Sequence, residues 1–356
     1  MRIMQSTLDY TWNTRNRKGL NHCQCIDCPY DTLGAGAGVK MRAHCQAKGH
    51  GIPTEYKGEI QEYISRVNGE GTKSVIITLG YLCWNTRDIS VEGVQALVAE
   101  AERLIQLGNF PMICVVDNGS TDSTMEAIRS SFKGKLPHYL HLCDLPRNMG
   151  NCTARNVIID FAKIQGSKYT LFMDGDIEIV PLSSYTMMRY LECHSDLGVI
   201  GAYSANFSDK RHECATNLIE IPESRTHDDI RCAWTQYGLF RTDLFHKGVR
   251  FDEGGPFGGP GWGYEDDDLH YQIRAAGYKN RYFGGMRYLH RALHSSWPEL
   301  EAQGINLDRM FVTRKSYLVQ KWRKLGLDPV ILKLLEGQQL PKAEWYVKPK
   351  LNHNAD

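Results

Sequence analysis

The 356-residue chain lacks any apolar run approaching the ~20 residues that a membrane span requires. Its first residues, Met1 to Ser6, lack the apolar core of a signal peptide, so the chain reads as cytoplasmic. Without a secretory signal, its eleven Cys do not read as a disulfide framework. Cys83, Cys114, Cys143 and Cys232 stand singly in apolar contexts and read as small buried side chains. Internal repeats are missing too. Net charge is nearly absent, with 42 Lys/Arg against 41 Asp/Glu. That near-neutrality hides an asymmetry: residues 1–50 and 301–356 each carry +4, which leaves −7 for the middle. Basic ends around an acidic centre suit a polyanionic partner, although solvated charged tails explain the charge alone equally well.

What is present is an alternation of strands and helices from residue 74 onward. Apolar runs over Ser74–Leu79, Met112–Val116, Tyr139–Cys143 and Tyr169–Met173 read as strands. Helical periods over Val91–Leu107, Ser123–Ser131 and Cys152–Lys163 lie between them. That order implies an α/β domain with a mostly parallel sheet, whose ligands bind beyond the carboxyl ends of its strands. Later strands are expected over Gly198–Ser204, Ala233–Phe240, Arg281–Phe283 and Arg287–His290, with a helix over Glu265–Ala276. The organisation is a flexible basic arm over 1–21, a Cys/His module over 22–52 and a linker over 53–72. An α/β domain over 73–300 and a basic helical extension over 301–356 complete it.

Two acidic clusters about ninety residues apart carry the chemistry. Asp174-Gly175-Asp176 ends the fourth strand. Alone it would be a surface turn; at a strand's carboxyl end, two carboxylates one residue apart can hold Mn²⁺ or Mg²⁺ with positions open for phosphate oxygens. The second cluster, Gly261-Trp262-Gly263-Tyr264-Glu265-Asp266-Asp267-Asp268, sets four acids behind a glycine turn. Four such neighbours cannot all ionise cheaply, so at least one should have a raised pKa and can serve as a general base. Acids also favour a helix N-terminus for dipole reasons, but that does not account for Gly-Trp-Gly.

Two further runs lie on the same edge. Asp117-Asn118-Gly119-Ser120-Thr121-Asp122 follows the second strand, where Asp117 can accept from a base or ribose donor and Ser120 or Thr121 can cap the next helix. Arg147 to Asn156 holds Asn148, a glycine at 150 that permits close approach to a ligand, and Arg155 in the helix's first turns.

In this order and spacing the runs resemble the family 2 glycosyltransferases of the GT-A fold, a Rossmann-like sheet flanked by helices, over about residues 73–297. The Gly-Trp-Gly-x-Glu-Asp-x-Asp run also resembles the acceptor motif shared with β-1,4-galactosyltransferases. The resemblance implies a nucleotide-sugar donor such as a UDP-sugar, with Asp117 on the nucleobase and Asp174 and Asp176 on ribose and metal; Asn148 and Arg155, near the same edge, are read as donor-side residues. It implies Asp266 as the base of an inverting transfer and Glu265 as an acceptor contact; the neighbouring Asp267 is a catalytic candidate to which the base would move if Asp266 were dispensable. It further implies a His after the acceptor helix as a metal ligand, for which His290 and His294 both stand in place. The first strand departs from the pattern: Leu79 to Arg87 is longer than the family's Tyr-Asn-Arg turn.

Cys25-x-x-Cys28 is followed fifteen residues later by His44 and, five further on, by His50. The pattern resembles a two-Cys, two-His zinc finger with a slightly long loop, and Cys23 and Cys45 are substitute ligands. So small a segment has too few apolar residues to fold without the metal. A finger and basic ends fit nucleic acid. The expected function is metal-dependent glycosyl transfer, with a hydroxymethylated pyrimidine in DNA as acceptor, as for some bacteriophage enzymes. A protein or polysaccharide-precursor acceptor is the alternative. From another class, the chain could be a zinc-dependent binding protein with a disused transferase fold, against which the four intact acids argue.

Overall fold

The computed structural model describes residues 75–204 apart from 134 and 180, then 227–229, 236–290, 296–326 and 332, and three short segments near the N-terminus. Those segments, β1 (Trp12–Asn13), β2 (His22–Gln24) and β3 (Asp31–Leu33), pair antiparallel. Cys25, Cys28, His44 and His50 lie outside the described residues, as does His294.

The main domain opens with β4 (Ile76–Cys83), α1 (Arg87–Gln106), β5 (Phe110–Asp117) and α2 (Thr124–Ser131). It continues through β6 (Leu140–Asp144), α3 (Asn151–Ile164), β7 (Tyr169–Asp174), β8 (Ile177–Glu178) and α4 (Ser183–Cys193). Next come β9 (Leu197–Ser204), β10 (His227–Asp229), β11 (Tyr237–Arg241) and α5 (Asp243–His246). The last elements are α6 (Glu265–Ala275), β12 (Lys279–His290), α7 (Ser296–Ala302) and α8 (Leu307–Leu325).

The large sheet runs β10-β12-β9-β11-β7-β4-β5-β6. Strands β7, β4, β5 and β6 are mutually parallel, as are β12 and β9. Strand β11 runs antiparallel between β7 and β9. The parallel strands are near-continuous apolar runs because helices cover both faces. On one face α1, α2 and α4 pack over Leu79, Tyr81, Ile113 and Leu171; on the other α3, α6 and α8 pack over Val116, Phe172 and Phe240. Helix α1 buries Gly93, Val94, Leu97, Ala101 and Leu104, a one-sided spacing. A Cβ on Gly93 would strike the Tyr81 hydroxyl, so only glycine lets α1 approach β4 at that ring.

Three expectations need correction. Helix α2 is not capped at Ser120 or Thr121: its N-cap is Ser123, with φ of 61°, and Asp122 accepts from the Thr124 N–H instead. Arg281–Phe283 and Arg287–His290 are one strand, β12, whose register against β9 slips between Phe283 and Arg287, where the sequence has Gly284-Gly285. Cys143 is only half-buried. Helix α4 was not anticipated because its cap is remote. The buried Glu100 of α1 accepts from the backbone N–H groups of Leu182 (2.7 Å) and Ser184 (3.2 Å), fixing the chain just after the Asp174–Asp176 turn. Helix α8 buries Leu307, Phe311, Leu318 and Trp322 in the same apolar cluster as α3 and α6. Among the described residues no helix is long and apolar enough to cross a membrane.

Candidate active site

Four parallel strands end in a row at Cys83, Asp117, Asp144 and Asp174, and the site is built beyond them. The Asp174-Gly175-Asp176 turn is held from below by Tyr81, whose hydroxyl donates to the Gly175 carbonyl at 2.8 Å. Asp117 is buried, and its Oδ1 accepts from the N–H of Ser120 at 3.2 Å and from the Ser120 hydroxyl. Burial pushes the Asp117 carboxyl above its ordinary value, and the Ser120 bonds oppose the shift without cancelling it. The next loop is tied down by amides. Asn118 donates to Asn148 Oδ1 at 3.1 Å and accepts from the Met149 N–H at 2.9 Å, while Asn148 also accepts from the Gly150 N–H. Asn148 is therefore engaged with its own loop.

Gly150 begins α3 with φ of 93°, and a Cβ there would strike the Gly259 carbonyl oxygen. The loop before α3 and the glycine-rich loop before α6 thus touch backbone to backbone. From α3, two side chains one helical turn apart reach the start of α6. Asn151 donates to Glu265 Oε1 at 2.7 Å, and Arg155 donates through Nη1 to Asp266 Oδ1 at 2.7 Å. The second amino group of Arg155, Nη2, donates to Asp174 Oδ1, also at 2.7 Å. A single guanidinium, 3% exposed, therefore joins the two acidic clusters that the sequence sets about ninety residues apart. Burial weakens that guanidinium's hold on its proton, but Asp174 and Asp266 outweigh it and the net shift is upward. Burial also raises Asp174; Arg155 opposes the rise, and the nearby Asp176 and Asp266 add to it.

The four acids of α6 splay around the helix. Glu265 is buried against Asn151, the Gly263 N–H and Arg314, with its carboxyl pushed up first by burial and then by Asp266. Asp266 faces the strand ends through Arg155, its side chain 22% exposed. Asp267 is buried. Asp268 turns away entirely, accepting from the Trp322 indole N–H (2.7 Å), from Gln272 (2.8 Å) and from Lys321 (2.9 Å). Glu265 and Asp268 are both raised, chiefly by burial rather than by crowding. Gly261 and Gly263 have φ of 104° and 116°, and a Cβ on them would hit Met310 and Phe311 of α8. Trp262 packs tilted against Trp297 and edge-on to Phe311. Close packing against the C-terminal helices therefore accounts for both glycines.

His290 pairs with Ile177 in the β12–β8 register, one residue from Asp176. Among the described residues no three His, Cys, Asp or Glu side chains gather as a ready-made metal centre. The oxygen donors Asp174 and Asp176 still suit a hard divalent cation, which commonly takes one or two carboxylates and completes its shell with phosphate oxygens and water. Sequence reasoning missed Tyr81, Asn151 and Arg314. The i, i+4 spacing of Asn151 and Arg155 was a signal for the second; Tyr81 and Arg314 act across the fold and left none.

A helix-flanked sheet with acids at its carboxyl edge, coupled to an acidic helix by one arginine, is an arrangement that suits group transfer. Residues 98–247 match the family described as Glycosyl transferase family 2. The chain carries a glycosyltransferase domain and is an enzyme of that class. The matched stretch includes Asp117, Asn148, Arg155, Asp174 and Asp176 and stops before Glu265. No curated protein matches the chain in sequence. Among solved structures, the chain is similar to a mannosyltransferase from Pyrobaculum calidifontis solved with GDP-Man and Mn2+, at 14% identity and a TM-score of 0.47, over 79% of this chain and 87% of that one. It is similar to GalNAc-T7, solved with UDP, GalNAc and Mn2+, at 10% identity and a TM-score of 0.47, over 61% and 44%. A mannosyl-3-phosphoglycerate synthase from Rubrobacter xylanophilus is similar at 15% identity and a TM-score of 0.45, over 79% and 80%. Likenesses this distant say nothing of substrate.

Proposed function

We propose that this glycosyltransferase is a metal-dependent, inverting enzyme that moves a sugar from a nucleotide-sugar donor, a UDP-sugar, to an acceptor hydroxyl. The observation that carries the reading is the Asp174–Arg155–Asp266 bridge, which sets a donor-side acid and a base candidate on one cation. Asp117 accepts from the nucleobase or ribose, and Arg155 and Asn148 flank the donor. Asp174 and Asp176 would hold Mn²⁺ or Mg²⁺ together with His290 or His294, of which His290 sits opposite Ile177 in the β12–β8 register. When bound, the cation offsets the charge that the diphosphate gains as it leaves. Asp266 takes the proton of the acceptor hydroxyl. The acceptor oxygen then bonds to the anomeric carbon as the bond to the diphosphate breaks on the opposite face. Glu265, fixed by Asn151 and Gly263, accepts a hydrogen bond from the acceptor. Donor hydrolysis by the intact chain in Mn²⁺ tests the reading, and Asp176→Ala should abolish it with the fold intact. Full activity of that variant would remove the metal assignment.

For the acceptor, the reading is a hydroxymethylated pyrimidine in DNA, handled by a cytoplasmic enzyme. The Cys25, Cys28, His44 and His50 spacing suits structural Zn²⁺, and the basic ends suit a phosphate backbone. Deleting residues 1–52 should weaken DNA binding and DNA glycosylation while sparing donor hydrolysis, and Cys25→Ser should act in the same way. A truncated chain that modifies DNA as well as the full one would break this link and leave a protein or glycan acceptor.

A further inference from the structure

Arg314 of α8 is among the largest fully buried side chains of the described residues, and its donors are short of acceptors. Its Nε and Nη1 have no hydrogen-bond partner among those residues. Nη1 lies 3.6 Å from Glu265 Oε2, and Nη2 donates to the Pro260 carbonyl only at the long distance of 3.4 Å. Glu265 also accepts from Asn151 and from the Gly263 N–H, so Arg314 shares that carboxylate with two other donors. A guanidinium carries five donors and keeps its proton, so one left this short of acceptors is half of an anion site.

Arg314 also lines an open cleft of about 290 Å³ together with Asn306, Arg309 and Thr313, and none of the lining residues is acidic. The 19-residue helix α8 begins at this cleft. Its cap, Asn306, accepts from the Arg309 N–H at 2.8 Å, and the positive end of the helix dipole adds to the two arginines. Asp308, the acid of that turn, is exposed and does not line the cleft. Met310, on the cleft wall, is the side chain that a Cβ on Gly261 would strike. The cleft therefore backs onto the turn that leads into Glu265 and Asp266.

We propose that this cleft binds a phosphate group of the acceptor, with Arg314 and Arg309 as its cationic partners. The word acceptor rests on the glycosyl-transfer reading; phosphate binding itself does not. Bound there, a phosphate would share Arg314 with Glu265, the residue that precedes Asp266 in α6.

Inorganic phosphate is the probe, titrated into the full chain by calorimetry and by thermal shift. Saturable binding is expected, weakened about tenfold or more in Arg309→Gln and in Arg314→Lys, as for the loss of a charge-assisted contact. The lysine variant keeps the buried charge, so the chain folds, but it loses the guanidinium fork. No saturable binding, or unchanged affinity in both variants, overturns the proposal; phosphate seated at the donor edge would give the second result. A short DNA duplex and glycerol phosphate then compete with the probe. Displacement by the duplex identifies a phosphodiester and displacement by glycerol phosphate alone a phosphomonoester, while displacement by neither overturns the acceptor role. Donor hydrolysis in Mn²⁺ separates the two readings. Hydrolysis without phosphate binding sinks this site alone, and arginine-dependent phosphate binding without hydrolysis sinks the transferase mechanism alone.

Discussion

The two sides of α6 put the same residue type to different uses. On the inner side, Asp266 shares Arg155 with Asp174, stays partly exposed and faces the strand ends. On the outer side, two residues on, Asp268 is wholly buried, and its oxygens are taken by Trp322, Gln272 and Lys321. One acid keeps part of its surface exposed beside Arg155, and the other is consumed in fastening α8. An acidic run is thus not one site: the helix turns each carboxylate toward a different neighbour, and the neighbour decides its role.

The comparison can be broken by exchanging the two effects. Asp266→Asn should keep donor binding and the folding midpoint while lowering turnover by about 10²–10⁴, the range for a lost general base. Steady-state kinetics beside a melting curve checks this, and unchanged turnover would move the base to Asp267 or Glu265. Asp268→Ala should do the reverse. The buried Trp322 N–H loses its acceptor, at a cost of about 1–3 kcal/mol, whereas Lys321 keeps Asp252 at 2.8 Å. Denaturant melts should show that loss with turnover per folded molecule kept; a drop in turnover without a drop in stability would erase the division between the two sides.

The smallest effect sharpens the picture through pH. Asp252 and Asp268 both bind Lys321. Burial raises both carboxyls, but at Asp252 the bonds from Lys321, the Gly254 N–H and Tyr317 win, and its net shift is below the ordinary 3.8. A lowered folded value means that Asp252 stabilises the fold above about 3.8, its unfolded value, and that this contribution is lost as pH falls through the folded one. Asp268, whose net shift is upward, has the opposite sign: its contribution is present below 3.8 and fades as pH rises. Asp252→Asn should therefore flatten the fall of the melting temperature on the acid side. An unaltered acid limb would mean that Asp252 titrates no differently once the chain unfolds.

The strands and the acids at their ends were legible in the sequence because both depend on local pattern. Tyr169–Met173 followed by Asp174 reads as a buried strand with a polar tip whatever surrounds it. The bridge was half legible: Arg155 stood out in the first turns of its helix, but nothing local says that Asp266 will meet it across 111 positions. Arg314 was illegible for the same reason, since an arginine in a basic amphipathic helix reads as solvated until Phe257, Pro260 and Glu265 close around it. The glycines at 261 and 263 were legible as a turn ahead of the four acids, but Met310 and Phe311 supply a packing reason that only the folded chain displays.

Glu100 lies on the face of the sheet opposite Arg155, yet its two backbone bonds close the segment that carries Asp174 and Asp176. The amide protons of Leu182 and Ser184 can therefore trade with deuterium only when that carboxylate lets go. Their exchange rates are a built-in gauge, readable by mass spectrometry or NMR, of how firmly the Asp174–Asp176 turn is moored. The gauge needs neither sugar nor metal.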